Sequence, residues 1–187
     1  MSHLRSYRAF SLIETVIVIA LSAVIMMVLG LLIYNFNKTS LYGQALTQSS
    51  GSASTIMREI ESLTFPAHAV LQTHTFPSAT YTSTSTSLVL EIPSVDSSGN
   101  VIANTYDYAV FYSVGTNAYR LLTANALSKR VSGTKQLSAT LNALTFTYNN
   151  ADFTKVGSIT IDIQTQASAK QDILSDHRRE QIRLRNY

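Results

Sequence analysis

The feature that most constrains this chain is an apolar run near its N-terminus, Phe10–Tyr34, in which Glu14 is the single charged residue. The run reads FSLIETVIVIALSAVIMMVLGLLIY. An α-helix rises about 1.5 Å per residue, and about 20 apolar residues suffice to cross the hydrocarbon core of a bilayer. The sequence therefore predicts one membrane-spanning helix.

Two other interpretations of this run stay open. A cleaved secretory signal has a shorter apolar region, of about 7–15 residues, followed by small residues at the cut. Ala20-Leu21-Ser22-Ala23 could mimic such a cut, but strongly apolar residues continue beyond it. A plain signal anchor has the right length but no use for Glu14, because an ionisable residue at the centre of a span costs about 2.5–3.5 kcal/mol. We therefore expect Glu14 to have a functional partner.

The residues around Glu14 resemble a known export and assembly signal. Arg8-Ala9-Phe10-Ser11-Leu12-Ile13-Glu14 is similar to the prepilin signal of type IV pilins and type II secretion pseudopilins. That signal is a short basic leader, a small residue, then Phe, with Glu four residues further on at the start of an apolar helix. Ala9 stands where the family usually has Gly.

The resemblance implies cleavage between Ala9 and Phe10 by a prepilin peptidase, and methylation of the new Phe10 amine. It also implies that the Glu14 carboxylate pairs with the Phe10 ammonium of a neighbouring subunit. In a low dielectric such a pair is favourable only when both partners are present, so it could set the register of assembly. The implied partners are homologous pilin or pseudopilin subunits, the peptidase, an inner-membrane assembly platform and the lipid bilayer.

The charges that flank the apolar run predict its orientation. His3 and the leader residues Arg5 and Arg8 precede it, whereas only Lys38 follows it closely. The positive-inside rule then keeps the N-terminus in the cytoplasm and exports the C-terminal region. The formal net charge is +3, and removal of residues 1–9 would leave 12 Lys and Arg against 11 acids. This balance is no signature of nucleic-acid binding.

The helix is predicted to continue beyond the apolar run as an amphipathic segment over residues 35–65. Apolar or small residues recur at steps of three and four, with one step of eight through Ser49, which places them in one stripe on a helix. The stripe consists of Leu41, Ala45, Ala53, Ile56, Ile60 and Leu63. Pro66 is expected to end the helix, and the stripe is expected to pack on a sheet.

After Pro66 the apolar period changes to two, with β-branched and aromatic residues, which predicts strands. The alternating segments are Leu88–Ile92, Tyr106–Tyr112, Tyr119–Thr123, Leu144–Tyr148, Ile159–Ile163 and a last short strand at Ile182–Arg185. Turn signals at Asp96–Asn100, Gly115–Asn117 and Asn149–Asn150 favour antiparallel pairing. The Ser- and Thr-rich segment Ser78–Ser87 could be a loop or an edge strand, and we expect a loop.

Several C-terminal segments resemble minor pilins and J-type pseudopilins. These segments are Tyr119-Arg120-Leu121, Ser128-Lys129-Arg130, Leu144-Thr145-Phe146-Thr147-Tyr148 and Ile182-Arg183-Leu184-Arg185-Asn186. The resemblance implies a minor subunit near the filament tip that helps to initiate assembly.

The sequence contains no pattern of catalytic, cofactor-binding or metal-binding residues. There is no cysteine, so disulfides, thiolate nucleophiles and zinc–sulfur sites are excluded. The histidines show no metal-binding spacing, and neither a Gly-rich phosphate loop nor G-x-S-x-G is present. The four histidines are His3, His68, His74 and His177. We expect the late acids to be isolated and solvated rather than calcium ligands; these are Asp152, Asp162, Asp172 and Asp176.

A basic cluster near the C-terminus allows two interpretations. It consists of Arg178, Arg179, Arg183 and Arg185. Because the chain is only weakly basic, the favoured interpretation is that these arginines lie on a solvated face or form salt bridges to neighbouring subunits. Capture of DNA is the alternative, and it requires a binding affinity that falls steeply with salt. We expect nucleic acid not to be a partner.

Together these observations predict an α+β fold of pilin-like type, in which a long N-terminal helix packs on an antiparallel sheet. The predicted parts are a leader (1–9), a transmembrane half-helix (10–34), an amphipathic half-helix (35–65) and a sheet region (66–187). The expected function is that of a structural subunit, minor rather than major, of a type IV pilus or related secretion pseudopilus. An anchored extracytoplasmic binding or sensory domain is the alternative, and it predicts an uncut N-terminus and tolerance of Glu14→Ala.

Overall fold

The computed structural model describes residues 11–170 and 172–185. The chain divides into two compact units, Met1–Gly43 and Gln44–Tyr187. We call the second unit the folded domain. One helix, α1, runs from Leu12 to Thr64 and contributes residues to both units. The predicted leader residues Arg5, Arg8, Ala9 and Phe10 lie outside the described residues.

The two parts of α1 differ in burial as their sequences predict. From Leu12 to Leu41 every residue is exposed. Within the folded domain α1 buries one stripe, composed of Ala45, Ser49, Ala53, Ile56, Met57, Ile60, Leu63 and Thr64. The predicted stripe is confirmed for its residues in this domain, whereas Leu41, which lies in the first unit, is 38% exposed. The helix ends two residues before Pro66, because the residue before a proline disfavours the helical conformation.

The main sheet of the folded domain has five antiparallel strands in the order β1-β4-β5-β6-β7. The strands are β1 (Ala69–Val70), β4 (Ser87–Val95), β5 (Val101–Val114), β6 (Asn117–Thr123) and β7 (Gly133–Ser138). The predicted turn between β5 and β6 places Gly115 at a φ of +58°, a left-handed conformation that glycine adopts without steric cost.

A second sheet has three antiparallel strands in the order β10-β9-β8. These strands are β8 (Leu141–Tyr148), β9 (Ser158–Ala169) and β10 (Asp172–Arg183), and a short 3₁₀ helix (Phe153–Lys155) lies between β8 and β9. A third sheet is a hairpin of β2 (Thr73–Thr75) and β3 (Thr80–Thr82).

Two sequence predictions about strands need correction. The last strand is not short: β10 begins at Asp172 and stops at Arg183, so Leu184 and Arg185 lie beyond it. Its first ten residues form a strand because they pair with β9, although they lack apolar alternation. The segment Ser78–Ser87 is not all loop, because Thr80–Thr82 pairs with Thr73–Thr75 and Ser87 begins β4.

The core of the folded domain forms where the stripe of α1 meets one face of both larger sheets. Fully buried apolar side chains from α1, β4, β5, β8 and β9 share this cluster, among them Ile56, Ile60, Leu90, Phe111 and Ile161. A hydrogen-bonded pair is embedded beside it: the hydroxyls of Ser49 and Thr165 lie 3.0 Å apart, and Thr165 also donates to the Ser49 carbonyl. The predicted α+β class, with the helix packed on antiparallel sheets, is confirmed.

Candidate functional site

The N-terminal part of α1 has an apolar surface on every side. Among the described residues, α1 is the one helix long and apolar enough to cross a bilayer, by length and composition. Its large side chains lie in the open: Val16 is 56% exposed, Val24 60% and Leu32 58%. A helix that is apolar all round requires an apolar environment, such as lipid or other helices. The described residues of the first unit supply no such cover.

Glu14 is bonded within its own helix terminus. The Ser11 N–H donates to Glu14 Oε2 at 2.9 Å, and the Glu14 N–H donates to Ser11 Oγ at 3.3 Å. This reciprocal pair is a capping box, which satisfies two of the N–H groups that a helix start leaves without partners. Sequence reasoning did not use this signal, although Ser11-Leu12-Ile13-Glu14 has the S-x-x-E spacing that reveals it. Glu14 thus has a local role in starting α1.

The histidines of the folded domain contact aromatic rings or an acid. The His74 ring stacks on Tyr108 with centroids 3.8 Å apart, and the His68 ring lies 5.2 Å from that of Tyr106. Burial lowers the pKa of His74, and the charge of Glu91 opposes that shift. Within 11–170 and 172–185, no three His, Asp or Glu side chains come together as metal ligands would.

Three of the four late acids have partners, whereas the sequence predicted that all four would be isolated and solvated; the fourth, Asp172, is exposed. Asp162 lies 2.9 Å from His177 Nε2, and Asp176 lies 3.2 Å from Arg178 Nε. Asp152 accepts hydrogen bonds from both the N–H and the hydroxyl of Thr154 and so caps the 3₁₀ helix. The pair of Asp162 and His177 joins β9 to β10, so the sequence does not reveal it until the register is known, whereas the partners of Asp152 and Asp176 lie only two residues away.

The basic cluster is divided between two faces of the second sheet. Arg178 faces α1, where its guanidinium donates to Ser50 Oγ at 3.2 Å. Arg179 and Arg183, at odd positions of β10, lie on the opposite face because successive strand residues alternate. The arginines of β10 therefore do not form one continuous basic patch.

A buried charge network lies at one side of the five-stranded sheet. The Asp107 side chain is fully buried, yet it accepts bonds from Arg130 Nη1 and Ser128 Oγ, both at 2.7 Å. It also accepts from Ser94 Oγ and the Asn125 N–H, both at 2.8 Å. Burial raises the pKa of the Asp107 carboxyl, but these bonds, that from Arg130 foremost, outweigh burial and lower it. These hydrogen bonds hold the segment that follows β6, residues 125–130, against strand β5.

A groove of about 960 Å³ opens between β7 and β10 over α1. Thr55 and neighbouring residues of α1, with Phe65 just after the helix, form its floor; Lys135 forms its β7 side and residues 180–183 its β10 side. Burial raises the pKa of Glu61 in this groove, and the hydrogen bond and charge of Glu180 raise it further. Lys135 and Arg120 both bind Glu59, with Lys135 Nζ 2.9 Å from Glu59 Oε2.

These features define an α+β protein with a long N-terminal helix that is apolar in its first part and packs on antiparallel sheets in its second part, which is a pilin-like architecture. No family model matches the chain, and neither the curated proteins nor the solved structures contain a match.

Proposed function

We propose that this protein is a subunit of a type IV pilus or related type II secretion pseudopilus, most similar to a minor pilin or J-type pseudopilin. The observation that supports the proposal best is the position of Glu14. It is the one charged residue of an apolar, fully exposed stretch of α1, and the same helix continues into the core of an α+β domain. A membrane anchor alone needs no such charge.

In the proposed cycle, the chain is inserted with its N-terminus in the cytoplasm and its folded domain outside the cytoplasmic membrane. A prepilin peptidase cuts between Ala9 and Phe10, and the Phe10 amine is methylated. The exposed apolar side chains of α1 then leave lipid for contacts with homologous subunits. The Glu14 carboxylate pairs with the Phe10 ammonium of a neighbour, which stabilises only the register in which both charges are present.

One observation favours a second candidate, an anchored binding or sensory domain. Glu14 already accepts a hydrogen bond from the Ser11 N–H, so helix capping alone gives this carboxylate a use. In that case the charge of Glu14 is unimportant and its acceptor oxygen suffices. Gln at this position of a capping box supplies the same acceptor without the charge.

Glu14→Gln therefore separates the two candidates, with Ser11→Ala as the matched control that weakens the cap and leaves the charge. The filament proposal expects Glu14→Gln to insert normally but to be recovered poorly in sheared filaments, whereas Ser11→Ala assembles. Equal assembly by wild type and Glu14→Gln would overturn the role of the charge. Mass spectrometry of the N-terminus provides a second measurement: an intact Met1 in cells with active filament machinery excludes the proposal.

A further inference from the structure

The outer edge of β10 has no partner strand among the described residues, because β10 is the end strand of its sheet. Its twelve residues pair with β9 without a register shift, and its sequence, DILSDHRREQIR, contains no proline. Proteins usually protect an edge with a short strand, a bulge, a proline or charged side chains. Of these devices β10 has only charges. The edge is therefore a long, regular template for another strand.

One hydrogen bond shows which backbone N–H and C=O groups of β10 face the open edge. The Leu184 N–H donates to the Gly157 carbonyl at 3.0 Å, which continues the register in which Ile182 opposes Ile159. In an antiparallel ladder, alternate residues exchange bonds with the same neighbour. Even-numbered residues of β10 therefore bond to β9. The odd-numbered residues direct their N–H and C=O groups to the open edge, among them Ser175 and Gln181.

The charged side chains along the edge of β10 favour a partner strand with complementary charges. On the outer face, Arg179 and Arg183 are four residues apart, and neither has an ion pair with a described residue. On the α1 face, Glu180 adds its charge to that of Glu61. A complementary strand carries acids opposite the two arginines and a basic residue opposite Glu180.

The groove provides room for such a strand. Residues 180–183 of β10 form one side of it, and Lys135 of β7 forms the other. A segment that pairs with the outer edge of β10 thus enters an open space above α1 instead of meeting packed side chains.

We propose that β10 binds an extended acidic segment of a partner protein, which adds to the three-stranded sheet as a fourth, antiparallel strand. The segment carries acidic residues four positions apart on the outer face and a lysine or arginine on the α1 face. The identification of this partner as a neighbouring filament subunit rests on the proposed function. The edge and its charges do not depend on N-terminal processing.

The test uses the full chain in lipid nanodiscs and a labelled nine-residue peptide of alternating threonine and valine. Glutamates occupy its third and seventh positions and lysine its sixth, so that antiparallel pairing brings them opposite Arg183, Arg179 and Glu180. A control peptide has lysine in place of both glutamates. We expect fluorescence anisotropy to show binding of the acidic peptide, with an affinity at least about tenfold above that of the control.

The variant Gln181→Pro removes an N–H that faces the edge and leaves the bonds to β9, so the domain should remain folded. We expect it to weaken peptide binding by at least about tenfold. Gln181→Ala, which keeps the N–H but loses the side-chain bond to Ser158, should bind as wild type does. His177→Pro, opposite the ninth position of the peptide, tests the other end of the paired edge if Gln181→Pro unfolds. The double variant Arg179→Glu/Arg183→Glu should prefer the lysine peptide.

Absence of binding by the wild type, or equal binding by Gln181→Pro and Gln181→Ala, would overturn the strand-addition proposal. Neither result bears on cleavage after Ala9. Conversely, an intact N-terminus would exclude the filament proposal and leave peptide binding at β10 as a property of the folded domain. The two failures are therefore distinguishable.

Discussion

The guanidinium of Arg130 lies 2.7 Å from the carboxylate of Asp107, which is completely buried within the sheet. Twenty-three residues separate the two in sequence. Arg130 keeps 19% of its side chain exposed, so the pair joins a surface segment to the interior. Removal of one member of a buried ion pair leaves the charge of the other member without a partner, which destabilises the fold.

Asp107→Asn should therefore destabilise the folded domain. The change keeps the size of the side chain but removes the charge that Arg130 requires. We expect the free energy of unfolding to fall by about 3 kcal/mol, the lower end of the range for a broken buried pair, because Arg130 can reach water. Urea denaturation of the full chain in detergent micelles measures this. Asp172→Asn, at an exposed position, should stay within about 0.5 kcal/mol of wild type.

The same carboxylate should make stability depend on acid pH. The pKa of Asp107 is lower in the folded state than in the unfolded state, so its contribution is fully present above the unfolded pKa of about 3.9. It is lost as pH falls through the folded pKa, when the carboxyl is protonated. Denaturation curves at decreasing pH should show stability falling more steeply for wild type than for Asp107→Asn. Parallel pH profiles would contradict this assignment.

Thr165→Val should lower the free energy of unfolding, because it breaks the buried hydrogen bond between the hydroxyls of Ser49 and Thr165. The substitution keeps the shape of the side chain, but Ser49 Oγ then loses its partner in a site without water access. An unsatisfied buried polar group costs about 1–3 kcal/mol. We expect a loss of stability in this range by urea denaturation, and the double variant Ser49→Ala/Thr165→Val should lose less than the sum of the single variants. Thr160→Val, on the other face of β9, serves as the control.

Ile60→Ala should confirm that the stripe of α1 belongs to the core. Ile60 is fully buried, and truncation of such a side chain removes about 2–5 kcal/mol through lost burial and the cavity left behind. Leu46→Ala on the same helix is the matched control, since Leu46 is 54% exposed. Thermal unfolding should separate the two variants clearly. A similar effect for both would show that the stripe is assigned to the wrong face.

The sequence predicts the helix stripe and the central strands because burial imposes a period on them. Ile56 and Ile60 recur at helical spacing, and Leu88, Leu90 and Ile92 at strand spacing, on sides that face the core. Strand β7 and most of β10 have no such period, because edge strands gain their conformation from a neighbour's backbone. Their polar residues give no signal until the register is known.

The candidate site was predictable in part. The apolar run and Glu14 are evident in the sequence, and the capping partner of Glu14 lies only three residues away. Asp107 was not recognised as a network centre, since an acid at an alternating position of a strand ordinarily faces water. Its partners Ser94, Asn125 and Ser128 come from separate segments that only the fold brings together.

The core of the folded domain joins residues that are far apart in the sequence. Ile182 and Leu184 are 7% and 8% exposed and belong to the same cluster as Ile56, and Thr165 reaches Ser49 across 116 residues of sequence. A ribosome delivers α1 before the sheets, so the cluster around its stripe is incomplete until β9 and β10 have been synthesised. Contacts so distant in sequence slow folding. A chain truncated before β10 therefore lacks Ile182 and Leu184, and part of the apolar core stays uncovered.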